Sequence, residues 1–403
     1  MFKKLSGNDL VKIAKEFGTP LYIYHADKIT DQYQKFCTAF SDVDFQVFYA
    51  CKALTNVNIL KHILSIGSSV DCSSINEVKL AFHAGFPKEK ILYTSNGISF
   101  DEIKEAKELG VKINIDSLSN LKKFGATYEN SYPVGIRLRP NIMGGGNLKI
   151  STGHDKSKFG IPVTQINEIL EIVSTYNISI QNLHIHTGSD LKDVDIWLKG
   201  IQVLFDLIPS FPHLQAIDLG GGFKVAYQEN EKEVDINLLA QTIKNSFSSI
   251  KTSNGKPFQI WFEPGKYLVS EAGYFLTEVN VIKETPSANF AHVNSGFNHL
   301  IRPMFYDAFH KIENLSNSNG IQKKYAIVGN ICETDTFAWD REIAEISEGD
   351  ILVFYNAGAY GFEMSSNFNS RYKPAEVLVK YNKPYLIRKR DEFEDLLRNQ
   401  IEL

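Results

Sequence analysis

Between residues 45 and 262 the chain repeats one pattern: a short apolar run, then a longer stretch whose apolar residues recur at helical spacing. Phe45 to Ala50, Ser69 to Asp71, Ile91 to Thr94, Lys112 to Ile115, Pro133 to Leu138, Ile178 to His186, Ala216 to Asp218 and Gln259 to Phe262 read as eight strands. Amphipathic stretches such as Phe100 to Gly110, Thr164 to Tyr176, Asp193 to Ile208 and Asp235 to Ile250 lie between them, some closed by the glycine expected at a helix end. Strands alternating with helices call for a parallel sheet with crossover connections, and eight of them predict an α/β fold, a (β/α)8 TIM barrel. The excursion from Asn141 to Gly160 contains Gly144, Gly145 and Gly146 and is longer than most strand-to-helix connections. Its length and glycines predict a lid.

After about Glu271 the pattern changes to shorter β-like runs, including Phe275 to Ile282, Lys324 to Val328, Ile351 to Phe354 and Ala375 to Val379. They predict a C-terminal β domain, a sandwich or barrel, that also takes the early strand Pro20 to Tyr24. The expected boundaries are a barrel over 27–270 and a β domain assembled from 1–26 and 271–403.

The 403 residues are 43% hydrophobic and 22% charged with a formal net charge of -4, which gives no basic face for nucleic acid or a membrane surface. A small-molecule substrate is therefore expected. Cys37, Cys51, Cys72 and Cys332 form no metal-binding spacing and fit reduced thiols of a cytoplasmic protein. No apolar run approaches the roughly 20 residues that cross a bilayer.

Four segments at predicted strand ends carry chemistry. Lys52 closes the run Gln46-Val-Phe-Tyr-Ala-Cys-Lys, where a barrel opens its site, so its amine is placed to form a Schiff base; a surface lysine capping a strand is the competing reading. His184 and His186 share one strand face, as a metal pair or a satisfied core pair would, while Gly188-Ser189 behind them suits a phosphate oxygen better than a metal. Gly220, Gly221 and Gly222 leave backbone amides open to an anion, or simply make a tight turn. Glu263 ends the run Ile260-Trp-Phe and needs a cation, which could be no more than a surface partner. Pyridoxal 5'-phosphate answers all four, with an aldehyde for Lys52, a phosphate for the glycine turns and a ring nitrogen for Glu263.

These segments resemble the fold type III pyridoxal phosphate decarboxylases over almost the whole chain and in order. Tyr49-Ala-Cys-Lys52-Ala is similar to the family's lysine motif, and Val70-Asp-Cys-Ser-Ser74 with Glu77 follows. Next come Ile150-Ser-Thr-Gly153, Ser157-Lys-Phe-Gly160, His184-Ile-His186-Thr-Gly-Ser189, the glycine triplet, Glu263-Pro264-Gly265 and Leu300-Ile-Arg302-Pro-Met-Phe-Tyr306. Cys332-Glu333-Thr-Asp335, Gly358-Ala-Tyr360-Gly and Met364-Ser-Ser-Asn-Phe-Asn369 complete the series.

The resemblance is strongest to the branch that decarboxylates meso-2,6-diaminopimelate to L-lysine. It implies that Lys52 carries the cofactor as a Schiff base, that His186 stacks on its ring, that Arg137 lies near the ring oxygen and that Glu263 pairs with the ring nitrogen. It also implies that Ser189, Gly221, Gly222 and Tyr360 hold the phosphate, with Pro264, Gly265 and Lys266 in the same binding segment. Arg302 and Tyr306 would grip the far carboxylate of the substrate, with Lys266 and Tyr360 nearby, and Glu333 the far ammonium. Cys332 would return a proton after carbon dioxide leaves. A homodimer is implied, because in this family the neighbouring subunit contributes the Cys332 region.

Two departures stand out. Lys266 replaces the family's usual Arg, whose planar fork a lysine cannot reproduce. Thr187 and Asp190 replace the common Ile and Gln, and Asp190 brings a negative charge to a proposed phosphate turn. Competing readings are a decarboxylase of ornithine, lysine or carboxynorspermidine type, a racemase, a metal-dependent barrel hydrolase using His184 and His186, and a non-catalytic pyridoxal phosphate carrier.

Overall fold

Parallel strands covered on both faces must be apolar on both, so they read as continuous runs rather than alternating ones. In a computed structural model, which describes residues 5–142 and 157–403, those runs form strands, and the chain divides into two compact units. One unit spans 32–225 and 232–267; the other joins 1–31, 226–231 and 268–403. The predicted lid falls mainly on residues outside those described.

In chain order, β1 (Leu21–His25) belongs to the second unit, and the first unit begins with β2 (Phe45–Ala50), β3 (Ser69–Cys72), β4 (Ile91–Thr94), β5 (Lys112–Ile115) and β6 (Val134–Arg139). A two-residue β7 (Ile161–Pro162), β8 (Ile180–Ile185), β9 (Ala216–Asp218) and β10 (Gln259–Phe262) follow. The hydrogen-bonded order is β5-β4-β3-β2-β10-β9-β8-β6, and pairing of β5 with β6 closes these eight parallel strands into a barrel, with β7 appended to β6. Consecutive burial is complete in β3, β4 and β9 and covers Val47 to Ala50 of β2, as strands enclosed on both faces require.

The crossover helices start and stop on local signals. Ser74, Ser99 and Ser117 accept hydrogen bonds from Glu77, Glu102 and Asn120 backbone N–H groups at helix starts, and Asp193 and Asp235 do the same for later helices. Gly85 and Gly110 end two helices in left-handed backbone conformation, which costs glycine no side-chain clash.

The second unit is a β domain. Its strands are β1, β11 (Gly273–Glu284), β12 (Asn289–Val293), β13 (Ile312–Asn314), β14 (Gln322–Val328), β15 (Thr336–Ala344), β16 (Ile351–Phe354), β17 (Ala375–Lys380) and β18 (Lys383–Arg388). The order is β15-β14-β12-β11-β1-β17-β18, with β16 paired to β11 and β13 paired to β16. The early strand thus sits at the centre of this sheet, antiparallel to β11 and parallel to β17. Leu10, Ile13 and Ala14, spaced three and four apart on the helix Gly7–Phe17, pack on Leu21, Ile23, Leu276, Val353 and Val377.

Candidate functional site

Strand ends of the barrel carry the charged groups that sequence reasoning singled out, because the core itself cannot hold unpaired charge. β2 runs directly into a single 3-10 turn, Cys51–Ala53, which presents Lys52. Its Nζ lies 3.3 Å from Oδ2 of Asp71, a fully buried carboxylate on neighbouring β3. The Lys52 side chain is 45% exposed, so the amine lies at the rim rather than buried. Burial and then the Glu263 charge push the Asp71 carboxyl up to about 8, while Lys52 pulls the other way.

His184 and His186 have different direct partners. β8 ends at Ile185, so His186 lies in the following turn, where its Nδ1 accepts the Gly221 N–H at 3.1 Å. That bond fixes Nδ1 as an acceptor, and burial followed by the nearby Arg137 guanidinium pushes the imidazole down to about 3. His186 is therefore a neutral ring. His184, fully buried in β8, faces the other way chemically: its Nε2 is 3.5 Å from Oε2 of Glu263.

Glu263 follows β10 directly and is buried. Burial works against its charge, but the neighbouring imidazole of His184 and the Lys52 ammonium hold it below the ordinary carboxylate range. Its Oε1 is buried without a hydrogen-bond partner. Asp218 ends β9, accepts the Gly220 N–H at 2.9 Å on Oδ1, and is raised well above the carboxylate range by burial and then by Glu263. Ligand-type atoms of His184, Asp218 and Glu263 lie within 4.8 Å of one another. Arg137, on β6 and nine-tenths buried, is electrostatically coupled to Glu263, Asp116, Asp71 and Asp218.

The glycines at these strand ends permit close backbone approach. A side chain at Gly221 would sit 2.3 Å from the Glu263 carbonyl oxygen, and one at Gly222 2.1 Å from that of Gly188. Gly222 has φ +96°, and its carbonyl accepts the Leu191 N–H at 2.8 Å, stapling the turn after β9 to the turn after β8. Ser189 lies half-buried in that second turn. Gly265 packs on Ala50, 3.1 Å from where its own Cβ would be. Lys266 opens the helix Lys266–Val269, and its ammonium donates to the Asp190 carboxylate. The awkward charge of Asp190 thus has a partner in the same unit, and that partner is the other departure from the family pattern.

The remaining predicted residues lie in the β unit. Arg302 is buried at the start of the helix Arg302–Tyr306, and its Nη1 donates to the Tyr227 hydroxyl at 3.0 Å. Tyr306 closes that helix, its ring 4.6 Å from that of Phe305. Cys332 is exposed; its N–H donates to Asn369 Oδ1 at 2.8 Å, and Asn369 Nδ2 donates to its Sγ at 3.1 Å. Glu333 beside it is exposed, and Tyr360 is half-buried with φ +56°. Sequence reasoning gave no role to Asp71, Asp218 or Tyr227, and considered His184 only as half of a metal or core pair. A carboxylate inside a short apolar barrel strand, as in Ala216-Ile-Asp218, was the available signal.

The chain matches the family described as pyridoxal-dependent decarboxylase, pyridoxal binding domain, over residues 26–270, and it belongs to that family. More narrowly, diaminopimelate decarboxylases are among its relatives over nearly the whole chain. The enzyme of Methanothermobacter thermautotrophicus is 38% identical across 98% of this chain and 95% of its own length. Among solved structures, the Methanocaldococcus jannaschii enzyme in complex with L-lysine superposes with a TM-score of 0.90 at 30% identity, covering 98% of this chain and 95% of its own. The Helicobacter pylori enzyme, also complexed with L-lysine, gives 0.88 at 31%, over 96% of this chain and 98% of its own.

The barrel residues fit pyridoxal phosphate. Lys52 supplies an amine for its aldehyde, the buried and unpartnered Oε1 of Glu263 can accept from a protonated ring nitrogen, and the glycine turns leave no side chain over their backbone. A divalent cation on His184, Asp218 and Glu263 would be repelled by Arg137 and Lys52, both of which act on the same groups.

Proposed function

We propose that this chain is a pyridoxal phosphate-dependent carboxy-lyase that converts meso-2,6-diaminopimelate to L-lysine and carbon dioxide, the last step of lysine biosynthesis. The observation that carries the reading is the buried, unpartnered Glu263 oxygen at the barrel end that also presents the Lys52 amine. Similarity to diaminopimelate decarboxylases over nearly the whole chain selects the substrate within that chemistry.

When bound, the cofactor supplies an electron sink for the bond to the departing carboxylate. Lys52 would hold it through its amine, and the neutral ring of His186 would pack against it. Arg137 would lie near the ring oxygen, and Glu263 would keep the ring nitrogen protonated. Ser189, Gly221, Gly222, Tyr360 and the segment Pro264-Gly265-Lys266 would hold the phosphate.

Arg302 and Tyr306 bind the substrate's far carboxylate, assisted by Lys266 and Tyr360, and Glu333 binds the far ammonium. A zwitterionic end requires both charges in the pocket. Cys332 carries the proton that returns to the α-carbon. The active unit is a homodimer in which the second copy contributes Cys332 and Glu333, and it works in the cytoplasm. The barrel extends over 27–270, and the β domain over 1–26 and 271–403 completes the site across the dimer.

Carbon dioxide release should be measured from meso-diaminopimelate, L-lysine and L-ornithine with added pyridoxal phosphate. Release from the first alone is expected. Turnover of ornithine or lysine in its place would reassign the enzyme to the polyamine-precursor decarboxylases, and inversion without gas release would make it a racemase.

A further inference from the structure

Behind Glu263 the barrel buries two groups with no part in the reaction as described. His184 on β8 is fully buried and its Nε2 lies 3.5 Å from Oε2 of Glu263. Asp218 on β9 is equally buried; the Gly220 N–H occupies its Oδ1, and its Oδ2 has no hydrogen-bond partner. The ligand-type atoms of all three residues fall within 4.8 Å of one another, and the three strands are neighbours in the barrel order β10-β9-β8. Glu263 is thereby divided: Oε2 is turned to the His184 imidazole, and Oε1 remains buried without a partner.

We propose that His184 and Asp218 are positioning residues that donate to Glu263 from behind, Asp218 as a neutral carboxylic acid, so that Oε1 alone is aimed at the cofactor's ring nitrogen. This rests on the reading that Glu263 faces that nitrogen. Asp71, Asp116, Asp218 and Glu263 all act on the buried Arg137, and Asp71 keeps its proton up to about 8, so the choice of which carboxyl near Glu263 is charged falls on Glu263 itself and Asp218. Burial pulls both imidazoles toward neutrality, so the cheapest way to keep Glu263 anionic is to leave the proton on Asp218. An ionised Asp218 beside Glu263 would instead set two anions together, with the Gly220 N–H on Oδ1 and, among the described residues, no donor to Oδ2.

The test separates a donor from a space-filler by pairing substitutions of similar volume. Gln at 184 places an amide donor where Nε2 lies, and Met does not; Asn at 218 reproduces the protonated acid, accepting from Gly220 and donating to Glu263, and Leu does not. Purified apoproteins are titrated with pyridoxal phosphate, and the visible absorbance of each loaded protein is followed against pH. His184→Gln and Asp218→Asn should keep cofactor affinity within about threefold of the parent and an unaltered pH profile. His184→Met and Asp218→Leu should weaken affinity roughly tenfold or more, as loss of a donor to a buried charge does, and should shift the profile. Equal behaviour within a pair, whether both members bind or both lose the cofactor, overturns the proposal. Glu263→Gln is the control for the underlying reading: if it changes neither affinity nor absorbance, Glu263 does not face the ring nitrogen, whereas a changed Glu263→Gln with equal pairs removes only the roles of His184 and Asp218.

Discussion

The Lys266 ammonium donates to the Asp190 carboxylate, joining the residue after Glu263-Pro-Gly to the residue after Gly188-Ser189. Each would be awkward alone under the proposed binding mode: a lysine without an arginine's fork, and an anion at the proposed phosphate turn. Their side chains are 12% and 27% exposed, so the pair is only partly screened by water. Asp190 adopts φ +61°, a conformation that Asp tolerates better than most residues.

The two should therefore act as a unit. Lys266→Met is expected to raise the dissociation constant of pyridoxal phosphate about tenfold, because it leaves the Asp190 charge unpaired near the turn proposed to hold the phosphate. Adding Asp190→Asn should recover part of that loss, with a coupling of about 1 kcal/mol in a double-mutant cycle. Strict additivity of the two changes would show that the ion pair has no bearing on the cofactor.

Lys52→Ala should abolish the covalent attachment. Borohydride treatment followed by mass spectrometry of the intact chain reads this directly: the parent gains the reduced cofactor and the variant does not. Labelling of the variant at another lysine would remove Lys52 from its assigned role.

Asp71 makes the fold sensitive to pH in a definite direction. Its folded carboxyl titrates at about 8 and its unfolded one near 3.8, so between those values the folded state keeps a proton that the unfolded state has lost. The contribution of Asp71 to stability is thus greatest below pH 4, declines as pH rises toward 8, and is level beyond. Asp71→Asn should flatten the dependence of the apoprotein's Tm on pH between 5 and 8 and raise Tm at pH 8. An unchanged slope would mean that Asp71 is ionised in the folded protein.

Cys332 is exposed and hydrogen-bonded at both its N–H and its sulfur to Asn369. Cys332→Ala should lower turnover by about two orders of magnitude, in the range usual for a positioned proton donor. In deuterated water the lysine formed should also carry its label with reduced stereochemical uniformity. Full turnover with uniform labelling would assign the proton to another group.

Chelators should leave gas release untouched, since the His184, Asp218 and Glu263 group is better satisfied by a shared proton than by a metal. Loss of activity on chelation, restored by a divalent cation, would revive the hydrolase reading built on the two histidines.

The barrel was legible because each strand advertises itself locally. Ile91 to Thr94, Lys112 to Ile115, Ile351 to Phe354 and Gln259 to Phe262 have the same ends in sequence and structure, since short apolar runs flanked by capping Ser or Gly leave little choice. Strand ends next to unusual turns shifted: Ile178 to His186 shortened to Ile180–Ile185, which leaves His186 one residue beyond the strand. Lys52, Glu263 and the glycine triplet stood out because charged or side-chain-free residues at the end of an apolar run are locally anomalous.

What the chain alone determined, then, was the eight barrel strands, their parallel character and the residue types that stand at their ends, all of which depend on neighbours within a few residues. Which side chains meet was decided by closure. Pairing of β2 with β10 and of β5 with β6 brings together residues far apart in sequence, such as Lys266 with Asp190, and converges Asp71, Asp218, His184 and Glu263 on one buried interior. There the charge of each group is set by burial and by the others, so neither the proton proposed for Asp218 nor the turning of Glu263 Oε2 toward His184 can be read from any one segment.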